Sequence, residues 1–512
     1  MTLCLIFAVC AASAQTYIDA AVIRARGYVV YSDFGAVGDG QTDDLEALVA
    51  THAFANTHKL PVKADDQARY YIGGQDRTAE IRTDTDFGNA FFIIDDRQVE
   101  NRNSSVFRVS SEGQSFPLKG INSLKRGQKK LNVQLDGPCL ITVTNEAVRH
   151  YIRFGLNQDK GAAQTDIFVL DKEGNVDMNA PIIWDFDQIS EIRALPIDET
   201  PLTLRGGHFT TIANQAESKY TYYSRNIAIN RSHVTVDGLV HTIIGEGDHG
   251  APYGGFLNIS DCSYVTVQNS IFTGHKTYVT IGSAGEPVSM GSYDLLAGRA
   301  LNVSFINCSQ TNDITDKTYW GILGSNYCKN MLYDHCSFSR FDAHKGVANA
   351  TIRNSTLGHM GINAIGSGTL LVENCIIKSN RLVNLRSDYG STWQGDFILR
   401  NCLFIPPAGS KSVSLIHGYY SGKHDFGYTC YMPEKITIEN LRIDDSAASS
   451  DYTGPTIFAN FNPEMKDETY HEEFPYVKTK EVLLKNIISV RGKSLRVSDN
   501  AVMFGGVKVE GQ

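Results

Sequence analysis

No block of basic residues and no second long apolar run interrupts this chain of 512 residues, and proline is scarce at 14. The missing Lys/Arg blocks, with a net charge of -9, exclude a general nucleic-acid or membrane-surface binder. Beyond the N-terminal residues no apolar stretch reaches the roughly 18 residues that a membrane span requires. Charged side chains are few at 20%, while glycine is abundant at 45. That composition fits turn-rich β structure better than long helices or disorder. It leaves an anionic ligand open, because a few Arg, Lys and His can make a local positive groove in an acidic protein.

The chain starts with a short apolar stretch ending in Ala12-Ser13-Ala14, which resembles a cleavage site for export. We expect a signal peptide over 1–14 and a periplasmic or extracellular protein, although no basic residue precedes the apolar stretch. Lipidation at Cys10 is the alternative. Two of the ten cysteines, Cys4 and Cys10, fall in this segment. Eight cysteines in an exported protein would ordinarily imply disulfides, but their positions argue otherwise.

A length prior of about 150 residues per domain gives about three domains, unless the chain is a repeat. It is a repeat. Alternating apolar residues followed by Asn and a small or apolar residue recur as Val265-Thr-Val-Gln-Asn269-Ser270 and Val303-Ser-Phe-Ile-Asn307-Cys308. The phrase returns at His335-Cys336, Asn354-Ser355, Asn374-Cys375, Asn401-Cys402, Asn440-Leu441 and Asn486-Ile487, with weaker copies ending at Gly206 and Gly238. Successive spacings from Asn269 are 38, 28, 19, 20, 27, 39 and 46 residues. About 20 residues make one coil of three short strands and three turns, so longer spacings mean loops inserted into a constant coil. Parallel strands of successive coils stack roughly 4.8 Å apart with one face inward. The Asn then occupies a turn where stacked amides can bond between coils. The residue after it points inward, which makes Cys308, Cys336, Cys375 and Cys402 packing residues rather than disulfide partners. This predicts an all-β fold, a parallel β-helix over 199–512.

The N-terminal phrase Asp33-Phe-Gly-Ala-Val-Gly-Asp-Gly40-Gln-Thr42-Asp-Asp44 precedes a helical stretch from Leu45 to Thr57 and a strand-like Tyr70-Tyr-Ile72. Asp43 and Glu46 are placed for a capping box. Residues 15–100 are read as a cap and first coil, because the open end of a solenoid must be covered. This phrase, with the coils, resembles the pectate-lyase-like superfamily of right-handed parallel β-helix proteins, which holds polysaccharide lyases, glycoside hydrolases, epimerases and phage tailspikes. The resemblance speaks for the fold and little for the reaction. Between 101 and 198 the Asn pattern is missing, and strands such as Leu140–Val143 and Asp166–Leu170 alternate with turns. That segment is expected to be a small antiparallel β domain inserted after the first coil.

A parallel β-helix exposes a groove along one face, suited to an extended polymer. The segments five to twelve residues after each Asn should form it. They carry His275; Arg340, His344 and Lys345; His359 and Asn363; Arg381, Asn384, Arg386 and Tyr389; and His417. Arg340, His344, Lys345, His359, Arg381 and Arg386 should fall within two or three coil steps, roughly 10–15 Å. So many cations on adjacent rungs imply an anionic ligand.

The chemistry that fits is β-elimination beside a uronic acid, which needs a neutralised carboxylate, a base and an acid. Arg386, then Arg340, would neutralise. His344 or Lys345 would be the base, and His359 or Tyr389 the acid. His275, Arg340, Arg381, Asn363, Asn384 and His417 would bind substrate. No metal is expected to be required, but Asp342, Asp388 and Glu373 could supply oxygen ligands to Ca²⁺. The expected partner is an acidic polysaccharide, with a glycosaminoglycan such as chondroitin sulfate or hyaluronan favoured over pectate or alginate, and the chain acting as a monomer. A hydrolase needs paired carboxylates, and the phrases of the pectin-hydrolase branch are missing here. Asp248-His249-Gly250 and Asp342 are isolated. A C5-epimerase would use the same residues as a lyase, and a noncatalytic adhesin or tailspike is the remaining alternative.

Overall fold

The computed structural model describes residues 20–390, 392–418 and 426–511, so the segment 1–14 and Cys10 lie outside the described residues. The repeat register expected from sequence is the register of the fold. Val265, Val303, Met331, Ala350, Leu370, Phe397, Ile436 and Val482 pair in turn through parallel strands, one per coil. All eight are buried. A second ladder follows the Asn turn, from Ile271 through Ser309, Ser337, Thr356 and Ile376 to Leu403. A third runs through Phe341, Ile362, Val383, Ile416 and Phe458. The three ladders enclose one continuous apolar core and form a right-handed parallel β-helix.

The turn after the first ladder explains the Asn. Asn269, Asn307, His335, Asn354, Asn374, Asn401, Asn440 and Asn486 all have φ between 52° and 56°. That left-handed conformation is disfavoured for most side chains and tolerated by Asn. The amides also stack: Asn374 Nδ2 donates to Asn354 Oδ1 at 3.2 Å, Asn401 to Asn374 at 3.1 Å and Asn440 to Asn401 at 2.9 Å. Where His335 replaces Asn, Asn354 Nδ2 turns to Asp334 Oδ1 instead, at 2.9 Å. Cys308, Cys336, Cys375 and Cys402 are buried free thiols. Their Sγ atoms donate to backbone carbonyls, as from Cys308 to Val267 O at 3.4 Å. Beside this turn, Asp334, Arg353, Glu373, Arg400, Glu439 and Lys485 form a row of alternating sign. Glu373 therefore lies on the first ladder between two arginines.

At the N-terminal end the helix Leu45–His58 buries Leu45, Leu48 and Ala55 against the core. Its capping differs from the expected box. Asp44 holds the N-cap position, but its carboxylate accepts from Val37 N and Gly38 N of the preceding glycine turn. Asp43 accepts from Leu45 N, and Glu46 pairs with Arg77. The acids thus pin the turn to the helix. At the other end Phe504 stacks on Phe458 at 4.5 Å.

Between the strands Phe107–Ser110 and Leu202–Ile212 stands a four-stranded antiparallel sheet of Phe116–Pro117, Cys139–His150, Ala162–Leu170 and Glu191–Pro196. Phe107–Ser110 itself stacks in the third ladder on Ile227–Asn230, so the departure from the coils starts after Ser110 rather than at 101. The inserted sheet has its own core around Ile141, Phe168 and Phe186. It docks on the solenoid through a buried ion pair, Lys329 Nζ to Asp166 Oδ1 at 2.6 Å, and a second bond from that ammonium to Pro181 O at 2.6 Å. Leu140, Ile167 and Val169 pack on Leu301.

The Asn turn yields a graded prediction. Asn374→Ala forfeits both the left-handed tolerance and the stacked amide, and should lower stability by about 2 kcal/mol in urea unfolding. Asn374→Gly keeps the backbone freedom and should lose about half as much.

Candidate functional site

Coil length decides where the groove lies. The coils from His335 to Asn374 are the short ones, and their turns between the second and third ladders stay low. On the N-terminal side, loops between Ile212 and Ile227, Phe272 and Tyr293, and Gln310 and Leu323 rise from the same turn in three of the preceding coils. On the C-terminal side residues 378–381 and 405–407 rise in turn. Between them lies a cleft of about 820 Å³, with Arg340, His344, His359 and Asn363 on the short coils. The inserted domain borders it with Arg153 and Asn157. That loop is tied down on both sides of the cleft. Phe154 N donates to Asp388 O at 2.9 Å, and Asn157 Nδ2 to the Tyr220 hydroxyl at 3.2 Å.

In the strand Ser337–Arg353, Phe341 and Ala343 enter the core, so Arg340, Asp342 and His344 alternate outward. Arg340 is nevertheless 1% exposed. Its Nε and Nη2 donate to Leu323 O at 2.9 and 2.7 Å, and Nη2 also to Asp342 Oδ2 at 2.7 Å. Its guanidinium lies over the rings of Tyr293 and Trp320, 5.5 and 5.7 Å from their centroids. A Cβ at Gly321 would stand 2.3 Å from Arg340 Cδ, which explains glycine there. Burial raises the Asp342 carboxyl above its ordinary value, with Arg340 opposing, and its Oδ1 is buried without a partner.

The two histidines on these coils differ in what their rings offer. His344 Nδ1 lies 2.9 Å from Asn326 Oδ1, and Nε2 lies 3.1 Å from the Tyr389 hydroxyl. An N–H to the amide oxygen and a lone pair to the hydroxyl satisfy both contacts for a neutral ring. Burial, then the charges of Arg386, Lys345 and Arg340, hold His344 well below its ordinary value. His359 donates from Nδ1 to Ile314 O at 3.2 Å. Its Nε2 makes no hydrogen bond within the described residues and is left with a lone pair. Burial also lowers His359, so this ring is neutral near pH 7.

The third group gathers around Tyr389. Asp388 accepts from Arg386 through Nε at 3.2 Å and Nη2 at 2.9 Å, and from Arg153 Nε at 2.8 Å. Burial would raise Asp388, but Arg386 and Arg153 hold it below the usual carboxylate range. Arg153, Arg386 and Lys345 all lie over the Tyr389 ring, at 5.0, 5.0 and 5.4 Å. Arg381 donates to His417 Nδ1 at 3.2 Å and has no carboxylate within ion-pair distance among the described residues. Burial, then Arg381, hold His417 down to about 4, so it stays neutral. Asn384 Nδ2 donates to Asn363 Oδ1 at 2.6 Å on the adjoining rung.

The cleft therefore gathers Arg340, His344, His359, Asn363, Arg381, Asn384 and Arg386 of the residues expected from sequence. Tyr389, Lys345 and His417 stand behind them and outside the lining. His275 is elsewhere. It is fully buried, with Nε2 3.2 Å from Asp294 Oδ1 and Nδ1 3.4 Å from Glu246 Oε1, because its loop folds back over the core instead of facing out. Nor do Asp342, Asp388 and Glu373 converge: two are engaged by arginines and the third is on the first ladder. The described residues hold no cluster of three or more His, Cys, Asp or Glu able to bind a metal. Sequence reading missed Arg153 and the aromatic wall of Tyr220, Tyr222, Tyr293, Tyr319 and Trp320. Apart from Tyr293, which opens the strand Tyr293–Ile306, the wall comes from the loops that lengthen the coils, and the long spacings were the signal for it. Six cations line the cleft — Arg153, Lys317, Arg340, Lys378, Arg381 and Arg386 — and no Asp or Glu lines it among the described residues.

No family model matches the chain. The capsule KL64-specific depolymerase of Klebsiella phage P510 is 23% identical over 127 residues, a match spanning 21% of this chain and 12% of that protein. The tailspike gp61 of Pseudomonas phage phi297 superposes with a TM-score of 0.55 at 12% identity, covering 90% of this chain and 80% of that one. The tailspike gp49 of Pseudomonas phage LKA1 gives 0.53 at 13%, covering 94% and 84%. The gp54 tailspike of Acinetobacter baumannii bacteriophage AP22, solved with A. baumannii capsular saccharide, gives 0.52 at 8%, covering 98% and 82%. At such identities the likeness is one of fold.

The His275 cluster makes stability depend on pH. Burial would lower His275, yet its bonds to Asp294 and Glu246 carry it up to about 9. The stabilisation of this imidazolium is complete below about pH 6.5 and vanishes as pH rises through about 9, an effect on the order of 3 kcal/mol. The melting temperature should fall between about pH 6.5 and 9 in the unmodified protein. It should be lower but flatter over that range in His275→Ala.

Proposed function

We propose that this chain is an exported enzyme that binds an acidic polysaccharide in the cleft and cleaves it by β-elimination beside a uronate. One observation carries the reading: among the described residues six cations and no carboxylate line the cleft, next to a neutral histidine with an unengaged ring nitrogen. A polyanion satisfies the excess charge. The aromatic wall offers ring faces against which sugars can pack. The capsule depolymerase and the tailspikes among the similar proteins support a polysaccharide acted on outside the cell. Glycosaminoglycans and acidic capsular polysaccharides share the required chemistry and are the favoured substrates.

In this reading Arg381 and Arg386 neutralise the uronate carboxylate, which makes the C5 proton more acidic. His359 Nε2 takes that proton. The C5–H electron pair forms the C4–C5 double bond as the C4–O bond breaks, and the imidazolium so formed is placed to protonate the leaving oxygen. His344, with both nitrogens engaged, orients Tyr389 rather than acting as the base. Lys345 and Tyr389 support the arginines from behind. The neutralising charge is guanidinium, so no step requires calcium.

A specific observation supports a second reading, hydrolysis. Asp342 is raised with one oxygen unpartnered, whereas Asp388 is held low, a contrast that suits an acid and a base. Both lie beneath arginines, which weighs against it.

Incubation with pectate, alginate, hyaluronan, chondroitin sulfate and acidic capsular polysaccharide tests the proposal. Ultraviolet-absorbing unsaturated ends are expected, with a rate unchanged by EDTA. Reducing ends without that absorbance would establish hydrolysis, and binding without cleavage would remove the enzyme reading. His359→Ala should lower kcat roughly 10²–10⁴-fold with the fold intact. The acid limb of kcat/KM should fall below pH 6.5, because His359 titrates below its ordinary value.

A further inference from the structure

The inserted domain is more than an appendage to the solenoid, because it delivers a charged side chain to the cleft. Arg153 and Asp388 are 235 residues apart in sequence and 2.8 Å apart in the fold. Arg153 Nε and Arg386 Nη2 bond the same oxygen, Asp388 Oδ2, so the two guanidinium groups lie side by side. One carboxylate thus holds two cations and leaves one positive charge uncompensated. Both Nη atoms of Arg153 and Nη1 of Arg386 have no partner among the described residues, and both side chains line the cleft. Arg153 is about a quarter exposed, enough to meet a ligand, at 23%. Its position is fixed from three sides: by Asp388, by the Tyr389 ring 5.0 Å away and by the backbone bond from Phe154 N to Asp388 O.

From this juxtaposition we infer that Arg153 is a specificity-determining residue which, with Arg386 and Arg381, completes an anion subsite for the sugar carboxylate. The inference rests on the acidic-polysaccharide reading above. Paired guanidinium groups held at a set spacing by a partly buried acid present several parallel N–H donors, the arrangement that recognises a planar carboxylate. Asp388 then serves as a positioning residue whose oxygens are already engaged and do not compete with the ligand. Specificity at this subsite requires the insert to be docked, which gives its buried Lys329–Asp166 anchor a functional consequence.

The test uses the full chain and the polymer of the above panel that it binds most tightly, beside the same polymer after chemical reduction of its carboxylates to alcohols. The unmodified protein should prefer the carboxylate form. Arg153→Met should weaken binding of that form about tenfold or more, while the reduced form changes by less than about twofold. Arg153→Lys, which restores the charge without the fork, should recover part of the loss. If the unmodified protein does not prefer the carboxylate form, the acidic-polysaccharide reading falls and this inference with it. If it does and Arg153→Met keeps the same preference, the inference alone is overturned. Equal weakening of both ligands with a lowered melting temperature would likewise overturn it, leaving Arg153 as a tether for the insert.

Discussion

The structure depends on one backbone turn repeated once per coil. From Val265 onward the strands of the first ladder end at a residue with φ between 52° and 56°, and the Asn amides there bond to their counterparts one coil away except beside His335. The constraint is severe because most side chains resist this conformation. It fixes register, since a slip of one residue would put Val303 and Met331 outside and their neighbours inside. Once register is fixed, every later residue of the coil has a defined row until a loop intervenes. The small thiols after the Asn fill the space beside the turn, and the alternating charges before it neutralise one another across rungs. The first ladder is thereby self-sufficient, and the chain can vary elsewhere.

Variation is concentrated at the turn between the second and third ladders. There the two short coils leave a floor, and longer coils on either side raise walls. The floor carries charge of a sort that the core cannot tolerate alone. Arg340 is buried and stays compatible with the fold because Leu323 O and Asp342 accept from it and two aromatic rings face it. Asp388 plays the same part for Arg386 and Arg153. Carboxylates therefore lie under the cleft and cations line it, so an acidic protein displays a positive surface at one place. Buried Asp342 and partly buried Asp388 raise the local density of cations that the fold can hold.

The coil pattern was legible because backbone pairing repeats. Asn354 and Asn374 announced the turn, and Cys375 announced an inward packing slot. On the short coils few residues separate Asn354 from His359 and Asn363, so the turn fixes where these side chains stand, and both line the cleft. The same rule misplaced His275, because the coil after Asn269 contains a long loop that turns this side chain into an ion cluster with Asp294 and Glu246. The capping box failed for a related reason: Asp43 and Asp44 found donors in Gly73 and in the glycine turn, which local spacing does not reveal.

Composition, spacing and the Asn phrase by themselves determined the solenoid, its register, the packing role of four cysteines and the face that carries the cations. These follow from short-range conformational preference repeated at one rise per coil. Only the tertiary structure decided which cations keep unengaged donors, which histidine keeps a free ring nitrogen and that Arg153 joins Arg386 on one carboxylate. Those outcomes depend on where long side chains and inserted loops meet across coils, and contacts between residues hundreds of positions apart leave no periodic trace in the sequence.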